Sequence, residues 1–162
     1  MSLALGLLET VVIGSKTASI VSSVGTNLII STITTTTSSI GGMIKYLTTS
    51  SQPGTNEILD IIIACDLEFT VLIIEQLVKE LNDTCFSESI KKALIGVEQI
   101  LGSIHRELDN VKKAIETHNT KYLNGWRSFC WNGNIENIRK HNIILRHRYT
   151  ILFELLKINN KC

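Results

Sequence analysis

Between residues 90 and 122 the apolar positions Ile90, Leu94, Val97, Leu101, Ile104, Leu108, Val111 and Ile115, continued by His118 and Tyr122, recur at alternating steps of four and three. That rhythm gathers them on one stripe of an α-helix. Lys91, Lys92, Glu98, Arg106, Asp109, Lys112, Lys113 and Glu116 fall off the stripe, so half of this helix faces water. Ser87 is the expected N-cap, because its hydroxyl can accept from a first-turn amide, and Glu88 then sits near the positive end of the helix dipole.

The last segment repeats the rhythm with Ile135, Ile138, Asn142, Leu145, Tyr149, Leu152 and Leu156. Asn142 lies inside this stripe, where a polar side chain needs a partner and can fix register. Residues 57–81 are apolar round most of a helical circumference, leaving a narrow acidic stripe, and so predict one helix near the centre of a bundle. Pro53 and Gly54 break the chain ahead of it, with Thr55 or Asn56 as cap. Residues 119–133, rich in Gly and aromatics, predict a bend, with Trp126 and Trp131 capping the bundle end.

Residues 20–42 carry no charge, yet most are Ser, Thr, Asn or Gly. Their β-branched side chains favour strand, but Leu28, Ile29 and Ile30 are consecutive and break the alternation a strand needs. A helix fits better. Thr10, Gly14, Ala18, Ser22 and Thr26 form a column of small residues at every fourth position, which lets another backbone approach closely. Ile29, Ile33, Thr36, Ile40, Met43 and Leu47 then resume the four-three rhythm. The expectation is a long first helix with breaks near Gly25 or at Gly41 and Gly42. Ser, Thr and Asn dilute every window of about 20 residues, so a stable membrane span is not expected. Hydroxyls bonded back to carbonyls one turn earlier tolerate burial, which leaves conditional insertion open.

The 162 residues fit a single domain, 1–162, with one proline and an ordinary apolar content. The net charge of +1 conceals an asymmetry. Glu57, Asp60, Asp66, Glu68, Glu75 and Glu80 face only Lys79 between residues 52 and 82, whereas residues 117–162 are basic. The two segments can complement each other inside a bundle, or the basic one can meet an anionic partner. Cys65, Cys85, Cys130 and Cys162 form no CxxC pair, so reduced thiols are expected, with Cys130 buried in the bend. The start lacks a basic n-region and Ser2 follows Met1, so neither a signal peptide nor myristoylation is expected. The Asn82-Asp83-Thr84 sequon carries little without such a signal.

No motif points to catalysis, and no cofactor or metal is expected. "LLETVVIGSKT" looks like a phosphate-binding loop, but Glu9 stands where the first glycine must be and Ser15 separates Gly14 from Lys16. His105, His118, His141 and His147 lack the i, i+4 spacing that aims two imidazoles at one metal. Arg139, Lys140, Arg146 and Arg148 spread over several faces of the last helix, so nucleic acid is not the expected partner. They stand as a candidate face for an anionic partner.

A small-residue-rich first helix, three further amphipathic helices and the closing run "HNIILRHRYTILFELL" together resemble the HeLo-like four-helix domains at the N-termini of cell-death and signalling proteins. The resemblance covers most of the chain and implies lipid interaction or oligomerisation, with the first helix implicated. No effector or kinase region accompanies it here, so a regulated death role is not part of the expectation. The abundance of Ile, Asn, Lys and Thr suggests an AT-rich genome such as that of a large DNA virus.

The expected architecture is therefore all-α: an antiparallel bundle of about four helices. The expected function is non-enzymatic, with self-association or partner helices as its means, in the cytoplasm, at a membrane periphery or in a virion. The alternative is a membrane-perturbing bundle, with Gly14, Ala18, Ser22, Ile29 and Ile33 as its membrane or helix-packing face.

Overall fold

The computed structural model describes residues 12–49, 55–81, 86–120 and 130–159, with side chains from residue 25 onward. Apart from caps and turns these residues are helical, without a strand among them, and form α1 (Val12–Thr49), α2 (Asn56–Ala64), α3 (Leu67–Glu80), α4 (Glu88–Asn119) and α5 (Asn132–Asn159). Buried side chains from all five join one apolar cluster.

α4 follows the sequence pattern closely. Ile90, Leu94, Val97, Leu101, Ile104, Leu108, Val111 and Ile115 are all buried, and Ser87 Oγ accepts from the Ile90 amide at 3.4 Å. His118 is half-buried. On α5, Ile138, Asn142, Leu145, Leu152 and Leu156 point inward.

α1 runs for 38 residues straight through Gly25, Gly41 and Gly42, so the expected breaks do not occur. Ile33, Ile40, Met43 and Leu47 are buried, as is Thr26. The hydroxyls of its polar run bond back along the helix: Thr32 to the Leu28 carbonyl, Thr34 to Ile30, Thr35 to Ser31 and Thr37 to Ile33, all at 2.9–3.0 Å. Each such bond satisfies a hydroxyl without a tertiary partner, so Thr37 can sit in the core beside Ile33.

Further expectations are corrected. The predicted helix over residues 57–81 is two helices, because the chain turns at Cys65 and Asp66, and Asp66 adopts a left-handed backbone with φ 49°. Asp tolerates that conformation better than most residues other than glycine. The helices are also not antiparallel neighbours throughout. Ser39 Oγ meets His105 Nε2 at 2.9 Å, and Lys112 Nζ lies 5.4 Å from the Tyr46 ring centre. Both pairs rise together in number, so α1 and α4 run side by side in the same direction. α4 and α5 run oppositely: Glu107 accepts from Asn134 and Asn137, while Arg148 Nη1 donates to the Gly96 carbonyl. α1 packs on α3 and α4, and α5 packs on α4 and α2 with a thinner contact to α3.

At the bundle end Trp131 is buried, as expected of a cap, but Cys130 beside it is exposed rather than buried. Trp126, the Asn82-Asp83-Thr84 sequon, Cys85, Cys162 and the Pro53-Gly54 turn lie outside the described residues.

Candidate interaction surface

The break between α2 and α3 releases a carbonyl from the helical ladder, and α5 supplies its donors. Asn142 Nδ2 donates to Cys65 O at 3.1 Å, and Arg146 Nη2 donates to the same oxygen at 3.0 Å. A buried carbonyl without a donor costs about 1–3 kcal/mol, so both side chains are explained as partners of the break. Asn142 Oδ1 is buried with no hydrogen-bond partner among the described residues. Arg146 also lies 3.9 Å from Asp66 Oδ2, where the acidic and basic segments meet. Both side chains are more than half exposed, so this pair contributes less than about 1 kcal/mol.

Beyond these hydrogen bonds to Cys65, the thin contact between α3 and α5 leaves an open groove of about 310 Å³, lined by Asp66, Phe69, Thr70, Ile73, Arg146 and Tyr149. Tyr149 stacks on Phe153 with ring centres 6.2 Å apart, and Lys157 Nζ lies 4.4 Å from the Phe153 ring centre. Burial pushes the Tyr149 phenol up. A second groove, of about 290 Å³, lies between α4 and α5, with Ile95, Gly96 and Gln99 on one wall and Arg148 and Ile151 on the other. Large apolar side chains also face water: Leu28 on α1, Ile63 on α2, Phe69 and Leu72 on α3, Ile95 on α4, and Ile143, Ile151, Phe153 and Ile158 on α5. Singly, such residues are ordinary on a protein surface; their concentration along α5 is what marks this helix.

The candidate anionic-partner residues do not converge. Arg146 is turned to the α2–α3 break and Arg148 to Gly96 on the opposite flank of α5, while Arg139 and Lys140 are exposed. Of the candidate membrane-facing residues, Ile33 is fully buried and Ile29 half-buried against the core. Gly14, Ala18 and Ser22 lie within α1, but their side chains lie outside the described residues. Among the described residues no three His, Cys, Asp or Glu side chains are placed to hold a metal. Among the described residues, too, no helix is long and apolar enough to cross a membrane. The outward apolar positions of α5 escaped the sequence reading. Their signal was a second stripe, Ile143, Ile151 and Ile158, offset from the core stripe.

The two described cysteines separate by chemistry. Burial pushes the Cys65 thiol up, against the opposing pull of Arg139, Arg146 and the Asn142 hydrogen bond, whereas Cys130 is exposed. Iodoacetamide on the native protein should therefore label Cys130 and spare Cys65 until denaturant is added, as peptide mass spectrometry would show. Because the fold holds Cys65 neutral, its contribution is complete below the ordinary thiol pKa of about 8.5 and is lost as pH rises through the higher native value. The drop in melting temperature between about pH 7 and pH 10 should accordingly be smaller in Cys65→Ala than in the parent.

No family model matches this chain, and no solved structure matches it. It is similar to a protein of Acanthamoeba polyphaga mimivirus named "Uncharacterized protein L717", with 30% identity over 90 residues. That alignment takes in 56% of this chain and 42% of the mimivirus protein, so the chain spans less than half of its relative's length.

Proposed function

We propose that this chain is a virus-encoded, non-enzymatic helical module that works by associating with copies of itself or with helices of a partner protein. One observation carries the reading: α5 buries one stripe in the core and holds a second, with three isoleucines, out to water. Apolar surface of this kind is stabilised when a second helix covers it. Viral origin is supported by the similarity to the mimivirus protein and by the Ile-, Asn-, Lys- and Thr-rich composition. Its place of action in this reading is the cytoplasm of an infected cell or the virion.

The HeLo-like resemblance supplies the competing outcome, in which α1 enters lipid. Ile33 would then have to leave the core. Light scattering across a concentration series, run beside dye-leakage assays on phosphatidylserine-containing vesicles, separates the two. The expected result is a mass that grows with concentration while vesicles stay intact. Leakage from vesicles by a protein that stays monomeric would transfer the assignment to membrane perturbation.

A further inference from the structure

Seen along its outer face, α5 carries Lys140, Ile143, His147, Ile151, Glu154 and Ile158, every one of them exposed. The three isoleucines are 64%, 44% and 64% exposed. At 3.6 residues per turn these six side chains fall within about 40° on either side of a line through His147. From Lys140 to Glu154 the stripe is symmetric about that histidine in a particular sense, and beyond it exposed Glu136 is the counterpart of Ile158. Lys140 stands seven residues before it and Glu154 seven after; Ile143 stands four before and Ile151 four after.

We propose that a second copy of this chain docks here, its α5 antiparallel to the first across a two-fold axis at His147. This rests on the self-association reading above and assigns it a surface and a register. In an isologous interface the same patch serves both partners, so residue i opposes j and j opposes i. With His147 on the axis, Lys140 of each copy faces Glu154 of the other, and Ile143 of each faces Ile151 of the other. A stripe meant for an unrelated helix has no reason to pair unlike charges with itself at equal distance from its centre. Among the described residues Lys140 has no ion-pair partner within its own chain, whereas Glu154 holds Lys157 at 2.9 Å. A carboxylate offers acceptor sites for a second cation, so that pair does not exclude Lys140 of the other copy. Ile95 of α4, 39% exposed and beside Ile151 in the α4–α5 groove, widens the apolar strip on each flank. A single pair of helices gives a small interface, so the dimer belongs to the weak, concentration-dependent class.

Sedimentation equilibrium of the full chain up to roughly 1 mM, the range in which small interfaces associate, tests this. The expected result is a monomer–dimer equilibrium that Lys140→Glu and Glu154→Lys each weaken about tenfold, since each reversal sets like charges opposite one another at two symmetric places. Lys140→Glu with Glu154→Lys in the same chain should restore the parent affinity, a rescue that damage to the fold would not produce. Ile143→Asp should leave only monomer. Self-association that ignores all three charge variants overturns this surface while leaving the broader reading intact. A chain that stays monomeric throughout overturns both.

Discussion

Ile33→Asp is expected to abolish the cooperative thermal transition of this protein, whereas Leu28→Asp, five residues earlier on the same helix, should leave the melting temperature within a few degrees of the parent. Ile33 is fully buried, and Leu28 is 68% exposed. A carboxylate at position 33 would be buried within the apolar cluster, at a cost of several kcal/mol. Small domains have a total stability of only about 5–15 kcal/mol, so one such insertion removes much of it. Circular dichroism melts of the two variants check the contrast. The result bears on any membrane assay as well: loss of leakage in Ile33→Asp would report unfolding, and Leu28→Asp is the variant that tests an apolar face of α1 while the bundle stands.

The second large effect is expected at the α2–α3 break. Asn142→Ala and Arg146→Ala should each cost about 1 kcal/mol, because the Cys65 carbonyl keeps one donor in either case. The double variant should cost about 3 kcal/mol, more than the sum, because only then is a buried carbonyl stranded. Urea unfolding of the parent, the two single variants and the double variant gives the coupling directly. Strict additivity would show that the two side chains do not share this oxygen in stabilising the fold.

Much of this architecture was readable from spacing. The α4 seam and the Ser87 cap needed no tertiary knowledge, since both are local consequences of helical geometry. Asn142 could be placed in the core by its position in a stripe, but its partner could not be named. That partner is a backbone carbonyl 77 residues away, freed by a break that the sequence conceals. Apolar residues continue on both sides of Cys65 and Asp66, and no glycine or proline marks the turn. The parallel course of α1 and α4 was equally hidden, because short connections suggest antiparallel neighbours while saying nothing about which helices meet round the bundle. The four basic residues of α5 were legible as charges, yet their separate tasks depend on the helices packed to either side.

The same-direction pairing of α1 and α4 has a consequence for synthesis on the ribosome. Ser39 meets His105 only after 66 further residues have been made, whereas Asn134 meets Glu107 across 27. Short loop closures come first, so the α4–α5 hairpin can form as a unit while α1, translated earlier, waits for its lateral wall. A purely aliphatic helix in that position would invite aggregation as a nascent chain. The hydroxyls of Thr32, Thr34, Thr35 and Thr37 find their acceptors within α1 itself, so they require nothing of the helices that arrive later.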